Sequence, residues 1–169
     1  RTTIAENNIG NFLNETNLST TNILSRVTGG EVSNVYGTIQ TTDFPGAHLF
    51  LINPAGIVFG PRAELNVNGS VSFATADYLR MADGSRFHAT LSQESALSIE
   101  PVTAFGFLGP NAGTISLQSS GLKVPEGQAL SLVGGNVEIK NGGSLTAPSG
   151  RIELASAASP GETLSESLT

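Results

Sequence analysis

Pairs of apolar residues two positions apart recur along this chain at a fixed interval. Leu49/Leu51, Ile57/Phe59 and Leu65/Val67 form one triplet of pairs, and a shift of 22 lands on Val71/Phe73, Leu79/Met81 and Phe87/Ala89. Further along, Ile115/Leu117 maps onto Val137/Ile139 and Leu130/Leu132 onto Ile152/Leu154 by the same 22, while Leu122/Val124 maps onto Leu145/Ala147 by 23, with Gly142-Gly143 accommodating the extra residue. At 38% apolar residues, four prescribed positions are all apolar by chance only about 2% of the time. Six such matches therefore outweigh the freedom in choosing a register. Alternation at period two is the mark of a short strand with one face inward, and a fixed repeat of this length is the mark of a solenoid. Three strands per repeat predict an all-β, right-handed parallel β-helix, its coils stacked at about 4.8 Å.

Val71 and Ile115 are separated by two whole periods, which puts the two blocks in phase. Residues 93–114 between them make one irregular coil, with Leu97, Ile99, Phe105 and Phe107 as its apolar residues and Pro101 and Pro110 interrupting strand pairing, so an excursion from the helix is expected there. Val27 and Val35 fall one period before Leu49 and Ile57, giving about six coils in all. Residues 1–26 lack a match and are expected to cap the first coil. Coils run from 27 to 154, and residues 155–169 read as a frayed tail or the start of further coils. The register predicts that Leu51, Phe73 and Leu117 lie in one inward stack, with Glu138 and Lys140 facing solvent.

Few functions suit this composition. With 14 acidic and 8 scattered basic residues the chain lacks the concentrated positive field needed for nucleic acid or an anionic membrane surface. It has no cysteine for a disulfide framework or a thiolate metal site. No run approaches the ~18 apolar residues of a membrane span. The start lacks the apolar stretch of a signal peptide, so an export signal is expected to have been removed or to lie outside this sequence. The interval from His48 to His88 is not a whole number of periods, so the two do not stack on neighbouring coils. Neither these histidines nor the three aspartates Asp43, Asp77 and Asp83 recur at the coil period, and the sequence carries no sharp paired-carboxylate signature for glycoside chemistry, although folding could bring Glu64, Asp83 and Glu126 near one another. No catalytic residue, cofactor or metal is therefore assigned.

One segment stands out: the run Leu49-Phe50-Leu51-Ile52 enters Asn53-Pro54-Ala55-Gly56 and continues at once into Ile57-Val58-Phe59. Proline presets φ and glycine permits φ > 0, the chemistry of a tight corner. The segment resembles the NPNGI motif of the two-partner secretion domain, also called the filamentous haemagglutinin N-terminal or haemagglutination activity domain. The resemblance extends over Asn22-Ile23-Leu24-Ser25-Arg26-Val27-Thr28-Gly29-Gly30, Val35-Tyr36-Gly37-Thr38-Ile39, Phe73-Ala74-Thr75-Ala76 and Leu132-Val133-Gly134-Gly135, and its nearest flavour is the cyanobacterial branch. Ala55 replaces the motif's second Asn. The family's other motif, NPNL, has no literal copy; Asn22, Ile23 and Leu24 are its positional counterpart.

The resemblance implies the secretion-signal module of a large exoprotein. Such a module crosses the periplasm of a Gram-negative-type bacterium, is recognised by the POTRA domains of an outer-membrane transporter, and folds outside, where it nucleates the coils that follow. Asn53, Pro54, Ala55, Gly56 and Ile57 would form the recognised or corner-forming motif. The module would be a monomer that inserts in no membrane, binds no nucleic acid and catalyses nothing. Two other readings remain open on the residues alone: an adhesin whose flat Thr- and Asn-lined faces bind glycan or protein, and a β-helix carbohydrate-active enzyme.

Overall fold

The computed structural model describes residues 3–96 and 98–165. The chain is all-β, its parallel sheets stacked as a β-solenoid of about six turns, about 24 residues apart. Five layers carry a strand on each of three faces. The first is β1 (Thr3–Ile4), β2 (Ile9–Asn11) and β3 (Asn22–Arg26); the second is β4 (Ser33–Val35), β5 (Thr38–Gln40) and β6 (His48–Ile52); the third is β7 (Ile57–Phe59), β8 (Glu64–Asn66) and β9 (Val71–Ala74). The chain then leaves the solenoid to form β10 (Tyr78–Met81), β11 (Arg86–His88) and β12 (Val102–Phe107). It returns with β13 (Thr114–Gln118), β14 (Gly121–Lys123) and β15 (Ala129–Gly134), then β16 (Asn136–Lys140), β17 (Ser144–Thr146) and β18 (Arg151–Ser156), and ends on β19 (Gly161–Leu164). Two faces are five-stranded parallel sheets, β1-β4-β7-β13-β16 and β3-β6-β9-β15-β18. The third is split into β2-β5-β8 and β14-β17, with β8 lying against β14.

Inward residues of the three faces fill the lumen: Val35, Ile39, Leu49, Ile57, Phe59, Phe73, Leu117, Leu122 and Leu132 are all buried in one cluster. Phe59 and Phe73 meet edge to face across it, with ring centroids 4.8 Å apart, a favoured aromatic geometry. Outside, amides stack layer on layer: Asn66 donates to Gln40 at 2.7 Å and Gln40 to Asn11 at 3.3 Å.

In the second block the register of the repeat holds throughout, whereas in the first it holds for one match of the three, since Ile57/Phe59 and Leu65/Val67 do not stack on Leu79/Met81 and Phe87/Ala89. Leu49 and Leu51 pair with Val71 and Phe73, Ile115 and Leu117 with Val137 and Ile139, and Leu130 and Leu132 with Ile152 and Leu154. Leu122 pairs with Leu145, one position beyond the period, as expected. Between the blocks the register does not hold. Ile57 and Phe59 pair with Ile115 and Leu117, across the whole excursion, and not with Leu79 and Met81. Val71 and Phe73 pair onward with Leu130 and Leu132. Val71 and Ile115 therefore occupy different faces, and the single stack expected of Leu51, Phe73 and Leu117 becomes two, Leu51–Phe73–Leu132 and Phe59–Leu117. Lys140 is exposed as expected, whereas Glu138 is half-buried beside it.

The cause is a second core. Strands β11-β10-β12-β19 form an antiparallel sheet on the outer side of the β3-β6-β9-β15-β18 face. Leu79, Met81, Phe87, Val102, Phe105 and Phe107 from that sheet pack against the outward residues Phe50, Ile52, Ala74 and Val133. The five-stranded face is thus buried on both sides at its centre, where every residue of β9 and β15 is buried, which is why Leu49 to Ile52 is continuously apolar. Leu79/Met81 and Phe87/Ala89 alternate like lumen strands because they too have one buried face. Alternation alone does not tell which core that face meets. The excursion begins well before the expected 93–114: β10 starts at Tyr78, and Ile99 is 97% exposed instead of packed. Leu97 lies outside the described residues.

The ends also differ from the register. Residues 3–26 supply β1, β2 and β3, in which Thr3 pairs with Asn34, Ile9 with Thr38 and Asn22 with His48. Each of these offsets is longer than the period and no two are equal, so a search at 22 does not find them. Val27 lies beyond β3, and Val35 pairs with Phe59, not Ile57. Arg26 reaches from this first layer to the excursion, donating to the His88 carbonyl at 2.7 Å and the Ser95 hydroxyl at 3.0 Å, with its guanidinium over the Phe87 ring. Beyond β18 the chain neither frays nor opens another layer but turns back as β19 against β12; residues 166–169 lie outside the described residues. Among the described residues no further layer stacks on β16 and β18, and Ile139, Ile152 and Leu154 are 43–49% exposed.

Candidate recognition site

Strand β6 ends at Ile52, and the chain must turn about a corner to enter β7 at Ile57. Asn53 makes that corner. Its side-chain Oδ1 accepts from the Ala55 N–H at 3.1 Å, and its own carbonyl accepts from the Gly56 N–H at 3.1 Å, so a side-chain turn and a backbone turn close together. Its Nδ2 donates to the Glu31 carbonyl at 2.9 Å and to the Ser33 hydroxyl at 2.8 Å, both in the preceding layer. The residue is 1% exposed, and its carboxamide ties this corner to the one below. An amide is the side chain that can accept once and donate twice at such a point.

Gly56 has φ +129°, and a Cβ there would stand 3.0 Å from the Thr114 carbonyl oxygen, so both backbone shape and space call for glycine. The returning chain closes the other side: Gly113 donates to the Pro54 carbonyl at 3.0 Å, and a Cβ on Gly113 would lie 2.5 Å from the carbonyl carbon of Ala55. Ile57 is wholly buried in the lumen. Of the five motif residues, only Pro54 and Ala55 reach the surface, and both are half-buried. Ala55 takes part in the corner only through its backbone.

Asn22, Ile23 and Leu24 are not brought to this corner. They begin β3, where Asn22 is paired with His48 at one end of the strand, while Asn53 follows Ile52 at the other. Ile23 packs into the lumen and Leu24 into the second core. Beside them His48 accepts the Ser70 N–H on Nδ1 at 3.0 Å, and burial holds its pKa below the ordinary value.

Thr75 is a corner residue that the motif alone does not point to. It is 1% exposed, donates from Oγ1 to the Gly113 carbonyl at 2.8 Å and accepts from the Gly135 N–H at 3.2 Å. It performs for the next layer what Asn53 performs for its own. A signal was present: Thr75 stands one period after Asn53.

A family model described as the TPS secretion domain matches residues 3–167, nearly the whole chain. The chain belongs to the TPS secretion domain family. Neither a curated protein nor a solved structure matches it. As a TPS domain it has the role of a two-partner secretion signal. Membership implies a secreted exoprotein that passes through the periplasm, with an outer-membrane transporter as partner. Among the described residues of this TPS domain no group of His, Asp or Glu is arranged to hold a metal ion, and no helix is long and apolar enough to cross a membrane.

Proposed function

We propose that this TPS domain is recognised in the periplasm by the POTRA domains of its transporter, crosses in an extended state, and folds outside the cell as a monomer that nucleates the coils following it. On this reading it has no catalytic activity. The observation that carries the proposal is the match over residues 3–167 in a chain whose signature Asn53 is buried within a corner. In the folded domain the motif offers a partner little beyond Pro54 and Ala55. In the extended chain all five residues are accessible, and an extended segment can add to the sheet edge of a POTRA domain. Parallel pairing across the whole excursion, as between β7 and β13 or β9 and β15, closes slowly, which favours an unfolded chain during transit.

The test is export of a reporter fused after Thr169, with the transporter co-expressed. Asn53→Ala is expected to abolish export, to destabilise the purified domain, and to leave binding of the unfolded domain to the purified POTRA region intact. Normal export of Asn53→Ala with unchanged stability would remove the corner from the mechanism. Failure of the unfolded wild-type domain to bind the POTRA region would sink the recognition step itself.

A further inference from the structure

Strand β19 forms the outer edge of the antiparallel sheet, paired to β12 from Ala104↔Leu164 to Phe107↔Gly161, with the Ser165 N–H donating to the Thr103 carbonyl at 2.8 Å. Its side chains add little apolar contact, since Leu164 is 61% exposed. One side chain holds it. Glu162 accepts from the Tyr78 hydroxyl at 2.8 Å on one carboxylate oxygen and from Arg80 Nε at 2.8 Å on the other, with the Arg86 guanidinium 4.0 Å away. Burial pushes the Glu162 carboxyl up, but the hydrogen bonds from Tyr78 and Arg80 and the two arginine charges outweigh it and hold the group below its ordinary pKa.

The receptor for this carboxylate is built without β19. Tyr78 is 5% exposed, its ring lies across Gly106 so closely that a Cβ there would stand 2.0 Å from it, and the Arg86 guanidinium stacks on the ring at 4.4 Å. All these parts come from β10, β11 and β12. In a chain of net charge −6 with only 8 basic residues, two arginines converging beside a tyrosine hydroxyl are a local reversal of sign.

We propose that the outer edge of β12, with the cradle of Tyr78, Arg80 and Arg86, is a docking groove for an extended acidic segment of a partner protein, and that β19 is its intramolecular occupant. Charge complementarity selects the occupant, because the cradle fits a carboxylate on a strand and the chain's own strand is seated there by one. A four-residue strand held by a short ladder and one carboxylate opens at lower cost than the solenoid unfolds. Once it opens, the edge of β12 presents unpaired backbone groups for strand addition. The docking groove does not depend on how the motif at Asn53 is read.

The experiment uses the full chain and three fluorescein-labelled peptides: residues 158–165, the same peptide with Glu162→Gln, and an unrelated Val- and Thr-rich peptide with one central glutamate. Thr163→Pro cannot donate to the ladder, so β19 should leave the groove. This chain is expected to bind both glutamate peptides about tenfold or more tightly than wild type does, as measured by fluorescence anisotropy, and the glutamine peptide about tenfold more weakly than its parent. Adding Arg86→Ala should remove that preference. Glu162→Lys, which repels the cradle without a backbone change, repeats the test if Thr163→Pro does not fold. A chain with the wild-type circular dichroism spectrum that binds no peptide, or binds the glutamine peptide equally, overturns the proposal. So does a concentration-dependent wild-type dimer that Thr163→Pro abolishes, because the occupant is then the β19 of a second copy.

Discussion

Replacing Asn53 with Ala removes three hydrogen bonds at once, to the Ala55 N–H, the Glu31 carbonyl and the Ser33 hydroxyl. Each is worth about 1 kcal/mol net, and a buried partner left unsatisfied costs about 1–3 kcal/mol. Ser33 is 3% exposed, so its hydroxyl loses a partner that water replaces poorly. The expected loss is about 3–4 kcal/mol. For a chain of this length 1 kcal/mol moves the melting temperature by about 2–4 °C, which gives a fall of about 6–16 °C. Asn53→Asp sharpens the reasoning: it keeps the bond from Ala55 but cannot donate, and it turns a carboxylate toward the Glu31 carbonyl. It should be no more stable than Asn53→Ala at neutral pH. Urea unfolding followed by far-ultraviolet circular dichroism measures both, since the chain has no tryptophan. A loss under about 1 kcal/mol for Asn53→Ala, or an Asp variant as stable as wild type, would refute the claim that the amide holds two layers together.

Ala55→Asn, which restores the residue found in the family motif, is expected to change stability by less than about 0.5 kcal/mol, because the Ala55 side chain is half-exposed and the corner uses only its backbone; the same urea titration checks it. Phe73→Ala should cost about 3–5 kcal/mol through a cavity opposite Phe59, read as a shift in midpoint at constant slope. Gly113→Ala forces a Cβ against the Ala55 carbonyl, and a loss of about 2 kcal/mol or more or failure to fold is expected, seen first as loss of soluble product. His48 is neutral where it accepts the Ser70 N–H, and its folded pKa lies below the unfolded value. The unfolded chain therefore binds the proton more readily, and stability falls as pH drops below about 6.5 toward the folded pKa. His48→Asn, whose Oδ1 can take the same N–H, should lessen the fall in melting temperature between about pH 7.5 and about pH 5.5, leaving the share due to His88, whose pKa is also lowered by burial and by the charges of Arg86 and Arg26.

The lumen was legible in the sequence because its constraint is local and repeated. Leu49 and Leu130 face inward at period two and pair 22 residues on with Val71 and Ile152 of the next layer, while Phe73 meets Leu132 across the excursion. An excursion was legible in the irregular stretch 93–114, but its start at β10 was not, because Leu79 and Met81 obey the same alternation while facing a different core. Only the long-range pairings of Ile57 with Ile115 and of Val71 with Leu130 reveal the difference, and no local pattern encodes them. The corner at Asn53 was readable from turn chemistry, and Gly56 does adopt positive φ. The partners of its side chain were not, since Glu31 and Ser33 become neighbours only once the layers stack. β19 was hidden for a similar reason: the polar stretch before it reads as a tail, and its edge position asks for no buried apolar residue.

The excursion makes one layer more than twice as long in sequence as those that follow it, yet β7 and β9 meet β13 and β15 as direct neighbours. Geometrically it is a plug-in module: the chain departs and re-enters within one layer, so a protein engineer could splice Thr75 toward Gly113 without disturbing the stack. Chemically it is obligate. Removing it would strip the cover from Phe50, Ile52 and Val133, turning the middle of one face into an apolar, uncharged sheet of the kind that aggregates. A minimal version of this solenoid therefore has to be rewritten in two places at once, with polar residues at 50, 52 and 133 accompanying any shortcut.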